Sequence, residues 1–160
     1  MSDMLELSSH LPELELEAGH VLCEEGGTSG SIWVLVSGSL TVTKRNVEVG
    51  TIERPGAVIG EMAVLLGAGN SATVTARVPS RLRMAADGAA LLSSDPAITT
   101  HVAAGLAERL DFVSTYLADL KHQYGDAPGL AMVGSVLSEL VFRQGPPARP
   151  GSARDPDPEY

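Results

Sequence analysis

The stretch IGEMAVLLGAGNSATVTA, residues 59–76, decides how the rest of the chain is read. Gly60 and Glu61 lead into one apolar helical turn, expected at residues 61–66. A glycine-bearing loop follows, and then an alternating strand expected at 71–78. Gly60 allows the backbone a tight approach to a ligand. The first N–H groups of a helix have no partner inside it and lie at its positive end, which suits a phosphate. Glu61, at that start, is badly placed to bind the phosphate itself. It is well placed to accept a hydrogen bond from a sugar hydroxyl. A carboxylate beside an anion hole is the pairing expected for a ribose phosphate. Taken singly, Glu61 also suits a plain helix-start acid favoured by the dipole, and Gly60 a plain turn.

Working outward, the N-terminal half reads as many short strands. Residues 13–17 alternate Glu-Leu-Glu-Leu-Glu, the period of a strand with one buried face. Residues 20–23 follow, then the turn Gly26-Gly27. SIWVLVS at 31–37 is apolar on both faces, as expected of a strand between two layers. Gly38 breaks it. Residues 40–44 resume, and Lys44-Arg45-Asn46 is the expected hairpin tip into 47–52. Arg54-Pro55-Gly56 marks another turn, and 81–85 completes the set. Strands this short with turns this frequent predict a mainly β fold with added helices: a small antiparallel sandwich or barrel.

After Ala86 the texture changes. Asp95 followed by Pro96 reads as an N-cap with proline at the first helical position, and Gly125 as a C-terminal stop. Between them a helix is predicted over 96–124, long for a small domain. Leu106, Leu110, Val113, Leu117, Leu120 and Tyr124 carry the a/d rhythm of a coiled coil, so this helix is the expected homodimer seam, with a helix packed on its own barrel as the alternative. A second amphipathic helix fits 129–142, with Leu130, Val133, Val136, Leu137, Leu140 and Val141 as its stripe. The division expected is 1–124 for the β domain with its long helix, 125–143 for the additional helix, and 144–160 for a proline-rich disordered tail.

With 160 residues the chain has room for one domain and a real core. Its formal net charge of −9 repels phosphate backbones and anionic lipid, so neither nucleic acid nor membrane is an expected partner. The N-terminal residues lack a secretory pattern and the single cysteine forms no internal disulfide, which together favour the cytosol. Cys23 reads as a buried structural thiol. His101 and Glu108 lie two turns apart on the long helix without a third ligand, and Ser93, Ser94 and Asp95 read as a helix cap. No catalytic set emerges, so an enzyme is not expected.

Residues 59–76 resemble the phosphate-binding cassette of the cyclic-nucleotide-binding domain family, found in catabolite-activator-type regulators, kinase regulatory subunits and nucleotide-gated channels. The family's Gly-Glu-apolar-Ala opening matches Gly60, Glu61, Met62 and Ala63. Its Arg-Ser/Thr/Ala-Ala-Thr/Ser-Val close matches Asn70, Ser71, Ala72, Thr73 and Val74, with Asn70 where the arginine stands. GHVLCEEGGTSGSIWVLVSGSLTV at 19–42 resembles the glycine-punctuated early strands. The resemblance implies a jelly-roll-like β-roll over residues 13 to 124, and a signalling regulator without metal that works through an effector protein. It implies a ligand set of Gly60, Glu61, Met62, Ala63, Asn70, Ser71 and Ala72, with Glu61 on the ribose 2′-hydroxyl. Ser71, where a threonine accompanies cyclic GMP preference, points to cyclic AMP. An asparagine keeps N–H donors but brings no charge, so weakened binding is expected. A pocket retired from binding, with the domain serving as a dimerisation or interaction scaffold, is the alternative. In catabolite-activator-type relatives the long helix leads into a DNA-binding module; no recognition helix is expected after 129–142 here.

Overall fold

The computed structural model describes residues 3–124 and 132–142. Eight strands pair, always antiparallel, into two four-stranded sheets. One sheet has the order β1 (Glu13–Leu16), β8 (Ser80–Ala85), β3 (Ile32–Ser37), β6 (Val58–Ile59). The other runs β2 (Val21–Cys23), β7 (Thr73–Ala76), β4 (Leu40–Lys44), β5 (Val47–Ile52). The jelly-roll-like, mainly β architecture expected from the frequent turns is the one found.

Strand β3 explains how the layers form. Successive side chains of a strand point to opposite faces. Trp33 and Leu35 therefore enter the core between the sheets, with Ile59 and Leu82 from their own sheet and Cys23, Leu40, Val74 and Ala76 from the other. Ile32 and Val34 face the other way, into a second cluster with Met4, Ala85, Leu91 and Ile98. A side chain such as Leu35, fully buried, contributes about 2 kcal/mol by leaving water. The doubly apolar reading of 31–37 thus reflects burial on both sides. At the other extreme, β5 is the edge of its sheet and five of its six residues are exposed.

The helices supply the second cluster. Helix α1 (Met4–Leu7) is capped by Asp3 and buries Met4; Arg83 on β8 donates to its Leu5 carbonyl and to Ser8 Oγ. Helix α2 (Glu61–Leu66) sits at the opening of the decisive stretch. Helix α3 (Gly88–Ser94) is capped by Asp87 Oδ1, which accepts from Ala90 N–H at 2.9 Å. Helix α4 (Pro96–Tyr124) starts as expected at Pro96, with Asp95 Oδ1 accepting from Ala97 N–H at 2.8 Å. Its first turns bury Ile98 and Val102.

Ser93 and Ser94, expected as part of a cap, lie instead in the last turn of α3. Their hydroxyls donate back to the carbonyls of Ala89 and Leu91, the local bonding that short polar side chains favour inside a helix. The short elements α1, α3 and β6 were not anticipated. The strand expected at 71–78 is shortened to β7, residues Ser71 and Ala72 remaining in the loop before it.

Residues Met1–Ala104 form one compact unit and Gly105–Tyr160 another, the division falling within α4. In the second unit α5 (Met132–Phe142) follows α4, with a Cβ built at Gly134 lying 3.5 Å from Lys121 Nζ. The stop expected at Gly125, the beginning of the 129–142 helix and the 144–160 tail lie outside the described residues. Among the described residues no helix is long and apolar enough to cross a membrane.

Candidate functional site

The site begins where β6 ends. Gly60 takes φ +92°, a left-handed conformation that a side chain resists. A Cβ there would lie 2.5 Å from the Ser31 carbonyl oxygen and 3.2 Å from Trp33 Cζ3. Glycine is therefore required twice over, by conformation and by space. The turn it makes lies against the Ser31 carbonyl just before β3 and the Trp33 ring on β3, so the sheet positions the start of α2.

Glu61 follows as the first residue of α2 and is buried, at 5% exposure. Ala63 is buried beside it, whereas Met62, Leu65 and Leu66 are exposed. Val64 packs onto the second cluster, and a Cβ at Gly88 would come within 2.9 Å of its Cγ2. Helix α2 thus rests on the N-terminus of α3. Gly67 ends the helix in the left-handed conformation at φ +59°, and Ala68 N–H donates to the Ala63 carbonyl at 3.0 Å.

The chain then turns back at Asn70. Its side chain is 9% exposed, and Nδ2 donates to the Glu24 carbonyl at 3.0 Å. Its backbone N–H donates to the Gly27 carbonyl and its own carbonyl accepts from Gly26 N–H, both at 2.8 Å. Ser71 is exposed and Ala72 half-buried. Thr73 Oγ1 accepts from Glu25 N–H at 2.9 Å. Arg77, next in line as a nearby cation, is exposed beyond the end of β7, with its N–H on the Ser39 carbonyl.

Gly60, Glu61, Met62 and Ala63 therefore sit together at the opening of the stretch, and Asn70, Ser71 and Ala72 together at its close. Sequence reasoning missed the 24–27 loop as part of this region. The Gly26-Gly27 doublet was its available signal, noticed only as a turn. Cys23, which leads into that loop, is buried as expected; burial pushes its thiol pKa up, partly offset by a backbone hydrogen bond with Val74. Among the described residues no three His, Cys, Asp or Glu side chains group as a metal site. His101 is half-buried and Glu108 exposed.

A family model described as the cyclic nucleotide-binding domain matches residues 13–103, more than half of the chain. The chain belongs to that family. The cyclic nucleotide-binding domain also has clear structural likenesses. A transcriptional regulator from Thermotoga maritima superposes with a TM-score of 0.61 at 17% identity, over 76% of this chain and 99% of that one. The N-terminal domain of a transcriptional regulator from Streptomyces coelicolor A3(2) gives 0.50 at 25% identity, over 68% and 81%. A structure described as cAMP-bound PfPKA-R gives 0.51 at 20% identity over 64% of this chain, which spans only 37% of its length. A comparison with curated protein sequences gives no match.

Proposed function

We propose that this cyclic nucleotide-binding domain is a non-catalytic sensor that takes a cyclic nucleotide, cyclic AMP in preference to cyclic GMP, at the 59–76 stretch. The observation that carries the reading is the Gly60–Glu61 turn: a left-handed glycine seated on β3 and opening α2, followed at once by a buried carboxylate. In this reading Glu61 meets the ribose 2′-hydroxyl. Backbone groups from Gly60 to Ala63 and around Ala72 hold the cyclic phosphate, with the Met62 backbone among them. Binding is weak, because hydrogen bonds to charged groups contribute about 1.5–3 kcal/mol and no guanidinium stands at residue 70.

Output runs through α4. Its first turns bury Ile98 and Val102, with Ile98 in the cluster that also receives Val64 from α2. Occupancy alters how those turns pack, and the remainder of α4 reports it through a homodimer seam to an effector protein in the cytosol. Leu110, Val113 and Tyr124 on that stripe are about half exposed in the single chain, which supports a partner helix there. The net charge of −9 argues against direct contact with nucleic acid. Calorimetric titration with cyclic AMP and cyclic GMP tests the ligand. Heat released with a dissociation constant in the micromolar range supports it, and none at millimolar nucleotide removes it. Light scattering tests the seam, a mass of twice 16.6 kDa being expected.

One observation favours a second reading, a non-binding scaffold of the same fold. The amide of Asn70 is already engaged by the Glu24 carbonyl.

A further inference from the structure

Residue 70 stands at the position where a charged clamp on the ligand is expected, yet its amide nitrogen is turned to a neighbouring loop. The Glu24 carbonyl offers only an acceptor, which fixes the amide with nitrogen toward it at 3.0 Å. The backbones of the two loops also exchange a reciprocal pair, Gly26 N–H to the Asn70 carbonyl and Asn70 N–H to the Gly27 carbonyl, each at 2.8 Å. The loops approach so closely that a Cβ at Gly69 would lie 2.6 Å from the Gly26 carbonyl oxygen. A Cβ at Gly27 would lie 3.1 Å from Asn70 Nδ2. The 24–27 loop is anchored elsewhere as well. Glu25 N–H donates to Thr73 Oγ1 and Glu25 Oε2 accepts from Arg45 N–H at the hairpin tip, both at 2.9 Å. Residue 70 is thus one of several ties that close the loop without any ligand.

We propose that Asn70 is a positioning residue, a latch that holds the 68–70 loop against residues 24–27 in its binding shape. Resting on the nucleotide reading above, the consequence is one of specificity. At most one N–H of the Asn70 nitrogen remains for a ligand, and it carries no formal charge. The phosphate is then met chiefly by backbone amides, and the residue 70 side chain adds little to its recognition. Adenosine, which keeps the ribose but carries no phosphate, is expected to bind about ten- to a hundred-fold more weakly than cyclic AMP, a gap set chiefly by backbone amides.

The test uses the full chain and two variants, Asn70→Ala, which removes the amide, and Gly69→Ala, which keeps it and pushes the loops apart. Without ligand, amide hydrogen exchange at Gly26 and residue 70 is expected to accelerate at least tenfold in both variants. Protection of Leu35 and Leu82 in the sheet stays unchanged and reports that each variant is folded. Unchanged exchange at Gly26 in Asn70→Ala overturns the latch. In calorimetry both variants are expected to weaken cyclic AMP by a similar factor and adenosine much less, since the loosened loop carries amides that meet only the phosphate. A loss of cyclic AMP binding in Asn70→Ala without a matching loss in Gly69→Ala overturns the proposal and makes residue 70 a ligand group. Failure of the unmodified chain to bind either compound removes the nucleotide reading and the specificity claim with it, while the exchange result decides the latch on its own.

Discussion

At Gly60 the chain turns through a left-handed conformation into α2 and buries a carboxylate; at Asn70 it turns back and gives its amide to a carbonyl of the 24–27 loop. Both turns belong to one sequence pattern, and each buries a polar side chain, Glu61 or Asn70. They differ in what the burial serves. The first is fixed by steric fit against β3, where Ser31 and Trp33 leave no room for a side chain. The second is fixed by hydrogen bonds to a loop that itself hangs on several others. Two ends of one sequence pattern can therefore be held by different forces, one by steric fit to a sheet and the other by hydrogen bonds to a loop.

The largest effect expected is on the first turn. Gly60→Ala must place a Cβ at positive φ into the Ser31 carbonyl and the Trp33 ring. The expected destabilisation is about 3 kcal/mol, read as a drop in thermal midpoint. A change below about 2 kcal/mol would show that this turn is as adaptable as the second.

Glu61→Gln follows. It keeps shape and burial while removing the charge, and is expected to weaken cyclic AMP by about ten- to a hundred-fold in calorimetry. Unchanged affinity would reduce Glu61 to a helix-start acid and erase the contrast between the two ends. Next comes Gly69→Ala at the second turn. Gly69, unlike Gly60, is not at positive φ, so only the steric conflict with the Gly26 backbone remains, and urea denaturation is expected to show a loss of about 2 kcal/mol, less than Gly60→Ala. Equal losses would mean that the second turn is as rigidly seated as the first.

The smallest effect concerns Cys23, at the root of the 24–27 loop. Its folded-state pKa lies above the ordinary 9.0, so the folded chain retains a proton that the unfolded chain releases. The contribution is fully present below pH 9.0 and is lost as pH rises toward the folded value. At one unit above the unfolded pKa the loss is at most about 1.4 kcal/mol. Cys23→Ala is expected to flatten the alkaline limb of a stability–pH curve, at the separate cost of a small cavity.

Much of this molecule was legible as sequence. The strands around Trp33, Leu40, Thr73 and Leu82 announce themselves through alternation and glycine punctuation. The Asp95–Pro96 start of α4 is a local capping signal. What escaped was short or distant. Helix α1 is a single turn, β6 has two residues, and α3 has seven, too few to show a period. The serines of α3 mimic a cap because the same hydroxyls that cap a helix also bond backward within its last turn.

The sequence by itself determined the antiparallel strands, the Gly60–Glu61 opening and the long helix, because each is written in neighbouring residues through backbone sterics and burial period. Only the tertiary structure decided what Asn70 does. Its partner, the Glu24 carbonyl, stands 46 residues earlier in the chain and is a backbone atom that any residue there would have supplied. A hydrogen bond to such an atom leaves no mark on the identity of its acceptor, so it becomes visible only once folding brings the two loops together.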